Sequence, residues 1–565
     1  MKKFFTLLLY LNIYTCFFVA AQAQEYTLKI KAENPQQHSS LDTLQLMRTF
    51  KDLSQLNPQT DSLQLNLQKL GYIESQLIKI QKYNDSVFTA RFALGKKYES
   101  IKIYFDERFF TKKELQQAKI APKNQHFIIP IESVTQVLLK LTTTKNRKGQ
   151  AFAKLKLVNF EKDASGNLSA TLKLLNNEKR YIDSIVIKGY EKFPKAFLRH
   201  YAGIKKGKTF DQKKLITQSE NLNSLGFVTT TKSPEVLFRK NKTSVYFYLN
   251  KENNNLFDGV LGFSTNEETQ KLKLNGYLNL QLNNNLNYGE QLLIEYKADG
   301  EEQISFKTKL ALPYLFKTPF GLSGALKIFK KDSTYITTEQ EIQIDYQLNP
   351  ESKAYIGYRG NESNNLLDEI IAGDAIEDFT SKFLIAGGSY TKLQSNKLFR
   401  EKTMISLTTG IGSRDAKNIA ENQVTFSSII ANIFNLNAKN SIYIQNNTSA
   451  LISESYLENE LFRFGGINSI RGFNENSLEA SLYSTINTEY RYQLTNNAYI
   501  HSIMDVGYFE NQTLSLKERL YSFGIGLGLN TKTGLLRFNM ANGNTEGSSF
   551  KFSKTKVHIS ISSKF

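Results

Sequence analysis

The chain has 565 residues, 72 Lys and Arg against 53 Asp and Glu, a net charge of +19, one cysteine and no tryptophan. One cysteine excludes a disulfide framework. Beyond the N-terminal segment no run of about eighteen apolar residues occurs, which argues against a helical membrane span, whereas a mean hydropathy of −0.38 is compatible with alternating strands that cross a bilayer.

Residues 1–23 read as a secretory signal peptide. Lys2 and Lys3 form the charged start, Phe4 to Ala21 is a largely apolar run, and Ala21-Gln22-Ala23 is a small-x-small cleavage site. A membrane anchor is the other reading of the run, but the cleavage site and the lack of positive charge after it favour removal. Cys16 follows Ile13-Tyr14-Thr15, a poor lipoprotein signal, and it leaves with the leader. The mature chain then has no thiol chemistry.

Charge divides the rest in two. Residues 24–251 carry 40 Lys and Arg against 20 Asp and Glu, and residues 252–565 carry 30 against 33. A basic half followed by a near-neutral half implies at least two functional bodies. An exported basic region faces acidic proteins or an anionic membrane surface sooner than nucleic acid. A solvated lysine-rich surface is the plainer reading.

The basic half repeats. Leu63, Leu67 and Leu70 share a helical face that ends at Gly71-Tyr72. Val134, Val137, Leu138 and Leu141 share a second, followed by Gly149 and Phe152. Leu215, Leu222 and Leu225 share a third, closed by Gly226-Phe227. In each unit the aromatic after the glycine is expected to start an inward-facing strand. Each unit opens with a strand-like run (Tyr26 to Ile30, Tyr98 to Ile103, Tyr181 to Ile187) and ends with another (Val87 to Ala93, Leu168 to Leu174, Val245 to Leu249). A period of about 75 residues is too long for a solenoid and suits small α+β domains. The boundaries read as 24–96, 97–178 and 179–252, with no Gly/Ser- or Pro-rich linker between them, so a semi-rigid arm is expected.

From about Leu256 the pattern changes to period two. Leu272, Leu274, Leu278, Leu280 and Leu282 alternate with polar residues. Ile342, Ile344, Tyr346 and Leu348 do the same, as do Phe523, Ile525, Leu527 and Leu529 with glycines between them. The polar partners are mostly Asn, Gln, Ser, Thr and Tyr, which suits a wet lumen behind a lipid-facing surface. The 310 residues of 256–565 allow sixteen strands at about 19 residues each with connections, and fourteen would fit as well. Tyr and Phe, 29 and 39 of them, can stand in for the missing Trp at a lipid–water boundary.

Phe462 to Phe473 reads Phe-Arg-Phe-Gly-Gly-Ile-Asn-Ser-Ile-Arg-Gly-Phe, about ninety residues before a C-terminal phenylalanine. This pair of features closely resembles the outer-membrane assembly-factor superfamily, which includes BamA, TamA and the translocators of two-partner secretion. The resemblance extends over the whole second half. Phe257 to Phe263 looks like the family's first strand, and Leu312 to Phe316 with Thr318-Pro319 and Gly321 like a hairpin. Glu489-Tyr490-Arg491 and Met504 to Tyr508 look like late strands. Phe523 to Gly528 and Gly534 to Phe538 lead to a closing strand with Val557, Ile559, Ile561 and Phe565.

The resemblance implies sixteen antiparallel strands in an all-β transmembrane barrel at 256–565, preceded by three α+β POTRA-like domains. It also implies that the Arg471-Gly472-Phe473 tip folds into the barrel and clamps onto Glu489 and Asp505 of the inner wall. An exposed loop arginine and two water-facing carboxylates are the alternative. The last strand has Ile561-Ser562-Ser563-Lys564 where some members have a kinking glycine, and three domains are closer to TamA than to the five of BamA.

On this reading the protein inserts or assembles outer-membrane proteins. It would take unfolded clients on a periplasmic arm and template them at the barrel seam, in contact with outer-membrane lipid and possible accessory periplasmic or lipoprotein subunits. A two-partner polypeptide translocator and a passive porin or surface receptor are the alternatives. No enzyme is expected: His38, His126, His200, His501 and His558 are scattered without metal-ligand spacing, and phosphate-loop and nucleophile-elbow motifs are absent. No cofactor, metal or nucleic acid is expected.

Overall fold

The computed structural model describes residues 25–34, 48–162, 167–265, 272–298, 303–367, 376–396, 398–417, 419–531, 534–548 and 551–564. Residues 1–23, read above as a leader, His38 and Phe565 fall outside the described residues. The chain divides into two compact units, Met1–Tyr181 with Thr209–Gln212, and Ile182–Lys208 with Lys213–Phe565.

The first unit holds two α+β modules. Module one runs β1 (Tyr26–Ala32), β2 (Arg48–Phe50), α1 (Leu56–Lys69), β3 (Gln76–Lys82) and β4 (Val87–Ala93), with sheet order β2-β1-β4-β3. Leu63 and Leu67, one helical turn apart, bury one stripe of α1 against Leu28, Ala90 and Phe92 of the sheet. Module two runs β5 (Ser100–Tyr104), α2 (Lys112–Gln117), β6 (His126–Pro130), α3 (Val134–Arg147), β7 (Lys154–Lys162) and β8 (Leu168–Leu175), in sheet order β6-β5-β8-β7. Its core joins Val137 and Leu141 of α3 to Ile101, Ile103, Phe127 and Leu172.

Glu114 ties module two together. Its carboxylate closes a capping box with Thr111 at the start of α2 and accepts from Lys145 of α3 at 3.0 Å and from Lys148, which caps the end of α3, at 2.8 Å. Burial alone would push its pKa up. The hydrogen bonds from Lys148, the Thr111 backbone and Lys145 outweigh burial and hold it at about 2.

Two expectations are corrected here. Phe152 does not start an inward strand and is 43% exposed; Tyr72 is buried but lies four residues before β3, while Phe227, also buried, directly precedes the strand at Val228. Tyr72 and Phe227 directly follow their glycines, but Gln150 and Ala151 separate Gly149 from Phe152, which ends up against the Arg180 guanidinium at 5.7 Å. The third module's first strand also starts three residues late, at Ser184, because Tyr181 makes only an isolated bridge to Thr209.

Module three opens the second unit with β9 (Ser184–Gly189), a π-helical turn at Phe197–Tyr201, α4 (Gln212–Leu222), β10 (Val228–Arg239) and β11 (Lys242–Lys251), in sheet order β10-β11-β9. Phe197 reaches the barrel, where it stacks edge-on to Tyr314 at 4.8 Å. His200 Nε2 lies 3.0 Å from the Lys317 carbonyl.

The barrel follows at once. Its first eight strands are β12 (Leu256–Thr265), β13 (Leu272–Asn283), β14 (Gln291–Ala298), β15 (Gln303–Leu312), β16 (Phe320–Lys331), β17 (Tyr335–Asn349), β18 (Ser352–Asn365) and β19 (Phe379–Leu393). Then come β20 (Glu401–Ala416), β21 (Ile419–Asn435) and β22 (Asn440–Ile452). A loop hairpin of β23 (Phe462–Phe464) and β24 (Leu478–Ala480) intervenes. The last strands are β25 (Leu482–Gln493), β26 (Ala498–Asn511), β27 (Leu516–Asn530), β28 (Leu535–Thr545) and β29 (Thr555–Lys564). Sixteen antiparallel strands, β12 to β22 and β25 to β29, close into one ring.

Burial is inverted relative to a soluble sandwich. Along β26, Ile500, Met504 and Val506 are exposed, while His501 and Asp505 between them are buried. Ile342, Ile344, Ile356, Leu384 and Ile411 likewise face outward, and Gln343, Asp345, Ser381 and Arg414 face in. An apolar exterior around a polar interior is stable only where the exterior meets lipid.

Candidate functional site: the lumen loop and the seam

The connection from β22 to β25 does not stay outside the barrel. It runs down as β23, turns at residues 465–477, and returns as β24, paired Phe462 to Ala480 and Phe464 to Leu478. Apolar side chains seat it. Phe464 stacks on Tyr483 at 4.5 Å and meets Phe509 edge-on at 5.5 Å, and Ile470, Leu520 and Phe473 complete the cluster.

At the turn the structure places Arg471 beside Asp505 and Glu489. Arg471 Nε donates to Asp505 Oδ2 at 2.8 Å, Nη2 to Oδ1 at 2.6 Å, and the backbone N–H to Oδ2 at 3.1 Å. Nη1 donates to Glu489. Arg471, Glu489 and Asp505 are 4%, 7% and 0% exposed. Arg491 donates to the other Glu489 oxygen at 2.7 Å, so two guanidiniums balance two carboxylates. Such a balanced, fully hydrogen-bonded set is the arrangement in which buried charge is tolerated.

Gly472 has φ +86°, in the left-handed region, and a Cβ there would lie 2.5 Å from the Gly543 nitrogen on β28. Its own N–H donates to His558 Nε2 of β29 at 3.3 Å. Phe473 is half-buried and packs on the apolar cluster of the loop, and its ring would meet a Cβ at Gly543 at 2.7 Å. The tip therefore rests on β25, β26, β28 and β29, halfway along β25.

Sequence reasoning missed several partners. Asn487 Nδ2 donates to the Ser469 carbonyl at 2.7 Å. His501 Nε2 lies 3.9 Å from Glu489, and Gly543 and His558 receive Gly472. His501 and Asn487 were readable as inward residues by strand parity with Asp505 and Glu489. Nothing local marked Gly543 or His558 as partners of the loop.

Of the closing-strand residues, Val557 and Ile559 are 53% and 64% exposed, on the outer face. The side chain of Ile561 and all of Phe565 fall outside what the structure describes. The strand closes the ring weakly. Among the described residues β12 and β29 pair at two positions, Leu256 with Lys564 and Phe257 with Ser563. The next-shortest barrel ladders, such as β28 with β29, pair at eight.

Comparison with known proteins agrees with this architecture. Residues 275–565 match the Omp85 superfamily domain, and residues 180–252 match the POTRA family, described as a surface antigen variable number repeat. No curated protein matches the sequence. Among solved structures, CdiB from Escherichia coli is similar with TM-score 0.53 and 15% identity, over 89% of this chain and 98% of that one. CdiB from Acinetobacter baumannii is similar with TM-score 0.52 and 16% identity, over 82% and 89%. BamA from Haemophilus ducreyi lacking POTRA domains 1–3 aligns with TM-score 0.49 and 14% identity, over 82% and 99%.

Proposed function

The chain belongs to the Omp85 superfamily of outer-membrane transporters and assembly factors, which are not enzymes, and from that premise we propose that it inserts or assembles other outer-membrane proteins at the seam between β12 and β29. The observation that carries this reading is that, among the described residues, the seam pairs at two positions while the ring's other neighbours pair at eight or more. A short ladder leaves unpaired N–H and C=O groups on both edges, and those groups template an incoming strand. Client backbone would then enter lipid already paired, which removes the cost of exposing peptide groups to hydrocarbon.

The α+β modules stand in the periplasm on this reading. Their edge strands β2, β3, β6, β7, β9 and β10 offer augmentation sites to unfolded clients. The excess of lysine and arginine in residues 24–251 favours acidic clients or anionic membrane surface. Accessory periplasmic or lipoprotein subunits would dock on the same modules. Arg471, Gly472 and Phe473 act as a clamp on Glu489 and Asp505 that keeps the loop inside the lumen and next to the seam.

A secretion translocator of the two-partner type is the alternative. It would pass a polypeptide through the lumen, where the loop now lies. Depletion of the protein followed by quantitation of the outer-membrane proteome separates the two. Broad loss of barrel proteins is expected. Loss of one exoprotein from the medium, with an unchanged outer membrane, would overturn insertion in favour of secretion.

A further inference from the structure

The loop has a second set of contacts at its base, on the other side of the ring. Arg414 of β20, with its side chain 4% exposed, donates Nη1 to Glu460 Oε1 at 2.5 Å. Its Nη2 donates to Glu421 at 2.7 Å and to Ser455 Oγ at 2.7 Å. Glu460 also accepts from the Leu457 N–H at 2.9 Å and from Gln423 of β21 at 3.0 Å, so one wall arginine fixes the turn at 457–460. Asn459 donates to Ser363 of β18 and to the Glu377 carbonyl, each at 2.8 Å. Lys331 of β16 bridges both arms of the loop, reaching Glu458 at 3.2 Å and Glu479 at 3.0 Å. Arg463 bonds Tyr335 of β17 and lies over Phe329 at 4.4 Å. Leu457 adds an apolar contact with Phe379 and Ala416.

These contacts stand on β16 to β21, whereas the tip stands on β25 to β29. Between wall and loop base lies a cavity of about 370 Å³, lined by Lys327, Arg359 and Thr425 on the wall and by Asn459, Arg463 and Asn476 on the loop. We propose that residues 453–481 form a strut with two separate feet, and that Arg414 is the positioning residue of the second foot. Either foot alone holds the loop across the lumen. Cutting the Arg471 clamp frees the tip and leaves the base in place, so an open lumen requires release of both feet. The inference stands on the loop geometry and holds for insertion and secretion alike.

The test uses the full-length protein with a nitroxide on either Asn474→Cys, exposed at the tip, or Glu454→Cys, exposed at the base, with the one native cysteine, Cys16, replaced by Ser. Folding is verified by heat-modifiable gel mobility. Arg471→Gln is expected to mobilise the tip label and leave the base label immobile, and Arg414→Gln to do the reverse. In planar bilayers each single variant should conduct close to wild type, and the double variant several-fold more. If Arg471→Gln alone mobilises both labels, or alone opens the channel as far as the double variant, the second foot is not an anchor and the proposal fails. A folded double variant that stays closed overturns it equally. Should Arg414→Gln not fold, the two labels in Arg471→Gln still decide.

Discussion

The Arg471 guanidinium meets the Asp505 carboxylate along two parallel hydrogen bonds, with both groups shielded from water. This fork needs a planar donor with fixed spacing, which lysine lacks. Removing it leaves Asp505 buried without its fork and Glu489 bonded to Arg491 alone of the two arginines that hold it. Arg471→Ala should therefore cost on the order of 3–5 kcal/mol of barrel stability, and Arg471→Lys part of that. The measurement is the urea midpoint of the folded band in heat-modifiable gels. Equal midpoints for all three proteins would show that the fork carries no stability.

Gly472 is constrained twice, by its positive φ and by the backbone of β28. A left-handed non-glycine residue costs about 1–2 kcal/mol before any clash is counted. Gly472→Ala should fold as a barrel but lift the tip, so that limited proteolysis cuts within residues 465–477. A tip as protected as in the wild type would contradict this account of the glycine.

Much of this molecule was legible because periodicity is local. Alternation at Ile342 to Leu348 and at Phe523 to Leu529 marks strands with one outer and one inner face, and the leucine stripe at Leu63 and Leu67 marks a helix on a sheet. The meeting of Arg471 with Glu489 and Asp505 was readable only through the resemblance, since no spacing rule joins a loop residue to two strands. The second foot was not legible. Arg414 and Glu460 are brought together by the curvature of the ring and by the loop's path inside it, and neither leaves a periodic trace. Phe152 departs from the glycine-aromatic pattern because Gln150 and Ala151 separate it from Gly149 and turn its ring outward. The reach of Gly472 to Gly543 and His558 depends on how far the loop descends, which composition does not encode.

Glu114 sets a pH dependence for module two. Its folded pKa of about 2 lies below the ordinary glutamate value of 4.5, so the folded state resists protonation. A depressed pKa contributes stability that is complete above the unfolded value and is lost as pH falls toward the folded one. Amides of α2 and α3 should therefore lose hydrogen-exchange protection between about pH 5 and pH 2 in the wild type. Glu114→Gln, compared at each pH so that intrinsic exchange cancels, should be less protected at neutral pH and converge with the wild type at low pH. A constant difference across the range would mean that the carboxylate charge is not what holds the helices.

The central claim is that client strands enter at the β12–β29 seam, and a disulfide across it is the most direct test. Phe257→Cys and Ser563→Cys place two thiols at paired positions in a chain whose one native cysteine is Cys16. The oxidised protein, folded and reconstituted in liposomes, should no longer accelerate the folding of a barrel protein diluted from urea. Reductant should restore the rate in the same sample. Full acceleration by the oxidised, cross-linked protein would contradict the account, because it would show that insertion proceeds without the seam opening.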